Sequence, residues 1–434
     1  MQFFKNFSSK TDSIHSIQYK VKFHILPLLV VGFIFAYIDR TNISFAHIKM
    51  REDLLFGDAV YGFGAGIFFV GYLLFEIPSN MLLHKIGARI WISRIMVTWG
   101  IVSGATIFVS TPMQFYVMRF LLGVAEAGFF PGVILYLTYW FPAKQIRSVS
   151  ALFITAIPAS GLVGSFLSGW ILEILSNDVV MKSWQWLFLL EAVPSIFLGL
   201  LLYKVLPNGI YDASFLNTKE KRILSETLDF ENSEKSSLRF VELILDRRIW
   251  ILIVMGGSFS VGMYGILFWL PSIVKSSGIT GDFRIGLLSS IPWLCSILGM
   301  LVLSNLPASS NNKKRVYIVF PGLLSAGSLI MSVIFHDDIV LAIGFLSLAA
   351  TGIMCVFPGF WSLSSFLGGA SAASGIALIN SMSNLCGFFS PAITGRMIET
   401  THSTTSSVYL MAGFIAFGCA IAFLFPVGAS NEEY

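Results

Sequence analysis

VKFHILPLLVVGFIFAYIDRTNISFA, residues 21–46, is an apolar run with two adjacent ions, Asp39 and Arg40, deep inside it. A bilayer-crossing helix needs about 20 mostly apolar residues, and this run supplies them. A second run, from about Met113 to Leu137, carries Arg119 and Glu126. An ionised group at the centre of a membrane helix costs roughly 2.5–3.5 kcal/mol even on the lenient insertion scale, and such groups face a partner, a water-filled cavity or a substrate path. Four of them in two segments point to an interior that moves ions or charged solutes. The bland alternative is a pair of buried salt bridges that only fix helix register. Buried ion pairs are poor stabilisers, which weighs against it.

The rest of the chain sets the solvent. Of 434 residues, 55% are hydrophobic and 12% charged, against about 25% charged in an average soluble domain. The mean hydropathy of +0.78 excludes a water-soluble core. A net charge of +4 carries no nucleic-acid signature. Cys295, Cys355, Cys386 and Cys419 show no CxxC spacing and read as inert buried thiols. No HExxH, GxSxG or Walker A run is present, so neither a membrane enzyme nor an ATP-driven pump is indicated, and no cofactor or metal is expected. Residues 1–20 are polar and lack the apolar core of a cleaved signal peptide, so the first span is expected to stay as an anchor.

Twelve apolar runs can be counted, near 21–46, 59–83, 90–109, 113–138, 147–173 and 184–206, then near 249–274, 284–304, 315–335, 338–366, 371–398 and 405–428. The expected fold is therefore all-α: twelve transmembrane helices in two six-helix bundles. The expected units are a tail (1–20), an N-terminal bundle (21–206), a charged linker (207–248), a C-terminal bundle (249–428) and a short tail (429–434). Six spans, a linker and six more is the layout of a duplicated half. Twenty of the twenty-eight Lys and Arg fall in segments that share one side, against six at the other ends. The positive-inside rule then puts both termini in the cytoplasm.

Beyond Asp39 and Glu126, two more acids lie well inside spans. Glu191 suits hydrogen bonding to neighbouring helices. Glu76 shares a helix face with Tyr72, one turn earlier, and precedes Pro78, where the backbone is locally unsatisfied; it suits a substrate path and a structural role equally. Arg119 and Glu126 are seven residues, two turns, apart on one face, about 10 Å in rise. Each therefore needs a partner from another helix, and Asp39 or Arg40 can supply it. The second half has no mid-span carboxylate. It offers Ser362, Ser364 and Ser365 after Trp361, then Asn380, Ser381, Ser383 and Asn384. These groups suit either a polar solute or close helix packing. Gly128-x-x-x-Gly132 reads as packing alone.

Four stretches carry a resemblance: FAYIDRTNISFA (35–46), GYLLFEIPSNMLLHKIGAR (71–89), MRFLLGVAEAGFFPGVILYLTYWFP (118–142) and ALINSMSNLCGFFSPAITG (377–395). The chain resembles the major facilitator superfamily over nearly its whole length, and within it the anion:cation symporter branch, which includes bacterial tartrate, sugar-acid and aromatic-acid permeases. That resemblance implies a monomeric transporter of the bacterial inner membrane, taking up a small organic anion with protons by alternating access. It implies proton-coupling roles for Asp39 and Glu126. It implies that Arg40 and Arg119 bind the substrate carboxylate or organise the acids, and that Tyr37 and Tyr72 line the cavity. Trp361, Ser362, Ser364, Asn380 and Asn384 would meet the hydroxylated end of the substrate. Gly87 and Arg89 match the gating loop, although His84 stands where that loop has an acid. An exporter or anion exchanger of the same fold is the rival reading.

Overall fold

The structure, a computed structural model, describes residues 2–233, 245–304, 311–364 and 369–425. Among the described residues it contains helices and no strand. The first expected span is a helix in two pieces, α1 (Gln2–Thr41) and α2 (Ile43–Asp53). Next come α3 (Asp58–Ile86) and α4 (Ala88–Ala105). The fourth span is also split, into α5 (Pro112–Glu126) and α6 (Phe129–Thr138). After α7 (Ala143–Ile154), α8 (Ala156–Ile174) and α9 (Ser183–Val205) complete the first set. The charged linker holds α10 (Thr218–Ser233). Then follow α11 (Arg247–Ser276), α12 (Asp282–Ser304), α13 (Asn311–Ile334), α14 (Ile339–Leu363), α15 (Gly369–Thr401) and α16 (Thr405–Leu424).

Eleven segments among the described residues are long and apolar enough to cross a membrane by length and composition. The remaining expected run, 371–398, lies within the 33-residue helix α15. The two six-helix bundles meet along two seams, α3 against α15 and α8 against α12. Glycines make both seams possible. A methyl placed on Gly169 of α8 would stand 2.7 Å from the Cα of Gly286 on α12. One on Gly62 of α3 would stand 3.0 Å from the Cα of Gly395 on α15. Here backbone lies against backbone, the packing that small residues permit in membranes.

Both glycine contacts lie toward the end of the molecule remote from the α3–α4 turn. Polar links reinforce that end: Lys49 pairs with Asp282 at 2.8 Å, and the Ala59 amide donates to Glu399 at 2.6 Å. Phe283 N donates to Glu173 at 3.3 Å, and the buried Tyr61 hydroxyl donates to the Phe268 carbonyl at 2.6 Å. At the opposite end Lys20 of α1 donates to Glu220 of α10 at 2.5 Å, which ties the first helix to the linker. That bond holds the Glu220 carboxyl below its usual range.

Candidate functional site

The site forms where two spans break. Thr111 and Gln114 cap α5 reciprocally, with Pro112 in its first turn, which fixes the start of that helix. Fifteen residues later it stops at Glu126, because Gly128 adopts φ +85°, left-handed backbone that glycine enters without steric cost. A side chain at Gly128 would run into Ser79 of α3. On the first span, α1 ends one residue after Arg40, and the Thr41 hydroxyl turns back to the Tyr37 carbonyl at 2.7 Å. Broken helices of this kind put side chains and free backbone at the centre of transporters.

Arg40 donates through Nη2 to Glu126 Oε1, and both residues are buried, 5% and 2% exposed. The Arg40 guanidinium lies over the rings of Tyr37 at 4.5 Å, Phe68 at 4.9 Å and Tyr72 at 5.6 Å. Aromatic faces attract a desolvated cation, so this cage holds the arginine when its carboxylate partner leaves. Arg119 also approaches Phe68, at 5.4 Å, and donates at 3.1 Å to the Arg40 backbone carbonyl. Its Nε and Nη1 have no protein partner. Of the partners available to Arg119 and Glu126, Glu126 thus takes Arg40, and Arg119 receives a carbonyl instead of an acid.

Asp39 goes elsewhere. Neighbouring residues on a helix differ by about 100° in direction, a consequence of 3.6 residues per turn. Its carboxylate accepts from Ser103 of α4 at 2.8 Å and from Ser195 of α9 at 2.5 Å. Glu191, also on α9, accepts from Ser168 of α8 at 2.8 Å.

The second half contributes across the α3–α15 seam. Ser381 donates to Glu76 Oε2 at 2.7 Å. Asn384 accepts from the Tyr264 hydroxyl at 3.1 Å, and Tyr264 interacts electrostatically with Tyr37, Arg40 and Glu126. Asn380 sits one turn before Asn384 and is half-buried. Trp361 is half-buried beside Phe360, with ring centroids 5.0 Å apart. Ser362 and Ser364 donate back to Gly359 and Trp361 of their own helix, at 2.6 and 2.8 Å, leaving only lone pairs for a solute. Ser365 lies outside the described residues. Gly87 ends α3 with φ +98°, and Arg89 beyond it donates to the Tyr203 carbonyl at 2.7 Å, so this turn is fastened to the end of α9.

Sequence reasoning missed Tyr264, Phe68, Ser103 and Ser195, and read Gly128 as packing. Ser195 had a signal, since it follows Glu191 by one turn. Gly128 had one too, lying two residues beyond a buried acid. Phe68 had none among so many aromatics.

A sequence profile described as Major Facilitator Superfamily matches residues 29–391. The chain belongs to the major facilitator superfamily. A protein of Agrobacterium vitis named as a tartrate transporter is 39% identical over 399 residues, covering 91% of this chain and 88% of that one. A quinolone resistance transporter of Acinetobacter baumannii is 36% identical, covering 93% of each. The crystal structure of a D-xylose–proton symporter superposes with a TM-score of 0.73 at 14% identity, over 93% of this chain and 97% of that one. This likeness shows the shared fold. As a major facilitator, the chain is a multi-pass membrane transporter and not an enzyme.

Proposed function

We propose that the chain imports a small organic anion together with protons, by alternating access, as a monomer in a bacterial inner membrane. The observation that carries this reading is the caged Arg40–Glu126 pair. A buried guanidinium tolerates one carboxylate partner and strongly resists losing it. A substrate carboxylate can take that place only if Glu126 is neutralised by a proton. Anion and proton therefore enter together, and the buried charge stays balanced at each step. Arg119, with two unpartnered donors beside the pair, is free to meet a second substrate oxygen. Asp39 is the second proton carrier in this reading.

Tyr37 and Tyr72 would wall the carboxylate end of the cavity. Tyr264, Asn384, Asn380, Glu76, Trp361, Ser362 and Ser364 would face the remainder of the solute, a polar lining suited to a sugar acid or tartrate. The Agrobacterium relative's name supports that class. The distribution of Lys and Arg supports cytoplasmic termini, which puts the Gly87–Arg89 turn at the inner gate. The boundaries 21–206 and 249–428 remain the proposed limits of the two bundles.

The test is Glu126→Gln in proteoliposomes. Proton-driven accumulation of labelled carboxylate is expected to vanish, while substrate counterflow persists. Continued accumulation by the variant under an inward proton gradient would sink the coupling role. A second reading, export, is favoured by the relative named as a quinolone resistance transporter. Uptake and efflux measured under opposed gradients separate the two.

A further inference from the structure

We propose that Asp39 and Glu191 form one buried carboxyl pair that shares a single proton, making Glu191 a member of the proton site. The pair deepens the reading of proton-coupled uptake and rests on it. Asp39 on α1 and Asn42 at the α1–α2 junction are three residues apart, on one face. Glu191 and Ser195 are four apart on α9, likewise on one face. The helices α1 and α9 pack together, and Ser195 joins the two faces through its 2.5 Å bond to Asp39. Ser103 from α4 and Ser168 from α8 close the compartment. Its three principal members are almost wholly enclosed: Asp39 is 1%, Asn42 1% and Glu191 3% exposed.

Among the described residues no cation is bonded to either carboxyl. On α1, Arg40 is bound to Glu126, and on α5, Arg119 donates to the Arg40 carbonyl. Glu126 and Arg119 act on Asp39 only through longer-range electrostatics. On α4 the facing groups are Ser103 and Trp99, neither of them charged at neutral pH. On α8, Glu173 lies at the far end and accepts from Phe283. Lys182, just before α9, pairs with Asp53, and His47 of α2 stands beside Asp58. Two enclosed carboxyls with no cation bonded to either lose hydration and repel one another if both ionise, so the pair keeps at least one proton.

The hydrogen bonds indicate where that proton rests. Asp39 accepts two hydroxyl donors, one on each oxygen, an arrangement that suits a carboxylate. Glu191 accepts one, and its Oε2 has no partner; neither has either amide atom of Asn42. Asn42 is a neighbour of Glu191, close enough to act on its carboxyl. A proton on Glu191 Oε2 would donate to Asn42 Oδ1 and give both orphaned oxygens a partner, with Ser168 still donating to Oε1. Glu191 is then the resting carboxylic acid and Asp39 the anion beside it.

Infrared spectroscopy of the purified full-length transporter, in H2O and D2O, reads this directly through the carbonyl stretch of protonated carboxyls. Wild type is expected to show such a band at neutral pH, and Glu191→Gln to lose its share of it. In Asp39→Asn the repelling anion is gone, so the Glu191 band should titrate away at a pH lower by at least about one unit, a tenfold change in proton affinity. That second variant keeps the test decisive if Glu191→Gln fails to fold. A band unchanged by Glu191→Gln overturns the proposal. So does an unshifted titration in Asp39→Asn, which would mean two independent carboxyls. Removal of the band by sodium at constant pH also overturns it, by making the ligand a metal cation. Because the band is read without transport, failure of proton-driven uptake in wild type would count against the coupling reading and leave the pair standing.

Discussion

The first bundle buries ions beside its hydroxyls: Arg40, Arg119, Asp39, Glu126, Glu191 and Glu76 are each 5% exposed or less, next to serines such as Ser103 and Ser195. In the second the buried polar groups are hydroxyls such as Ser383, Ser390 and Tyr264, with the half-buried Asn384 amide bonded to Tyr264, among the described residues. Each bundle is built on six spans, yet among the described residues only one bears the cost of burying charge. Charge does the work that depends on protonation, because only an ioniser changes its demand for a partner when a proton arrives. Neutral donors and acceptors can grip a solute but give it no electrical coupling. On the proposed reading, the first bundle couples and grips the carboxylate, and the second recognises the remainder of the solute.

The hardest way to break this contrast is to empty the charged half of its cation. Arg40→Ala leaves Glu126 enclosed and unpaired, and is expected to cost about 3–5 kcal/mol of stability in addition to abolishing uptake. Thermal melting in detergent measures it, and adding Glu126→Gln should restore most of the stability without restoring uptake. A smaller loss is expected from Gly128→Ala, which forces an L-residue into left-handed backbone against Ser79, at roughly 1–3 kcal/mol. Its melting temperature should fall, and proton-driven uptake should fall with it, since the same turn ends α5 at Glu126. The mildest change is expected in the neutral half. Tyr264→Phe removes one hydroxyl and its bond to Asn384, worth about 1 kcal/mol or roughly fivefold in substrate affinity. An equally large loss of proton coupling in that variant would erase the division between the halves.

The sequence made the spans legible because membrane length and hydropathy leave few alternatives. The four central charges were legible for the same reason: ions deep in apolar runs are few, and these four fall in only two of the runs. Their pairing was not, because Asp39 and Arg40 are adjacent in sequence yet leave the helix in different directions. Asp39 meets the α4 and α9 serines; Arg40 turns to Glu126 and the aromatic cage. The break at Gly128 was equally hidden, since a glycine in a small-residue spacing fits close packing as well as a left-handed turn. Which serines spend their hydroxyls on their own helix, as Ser362 and Ser364 do, depends on rotamers that no spacing reveals.

The glycine contacts between the halves, Gly62 with Gly395 and Gly169 with Gly286, have a mechanical meaning. Interlocked side chains act like gear teeth, and parting them means resetting many rotamers at once. Bare backbone is closer to a smooth bearing, with little to unlatch and little to re-seat. Two such bearings at the same end of the molecule let the bundles tilt apart there and close again along the same path. The wear of each cycle falls on the few polar links beside them, such as Lys49 with Asp282.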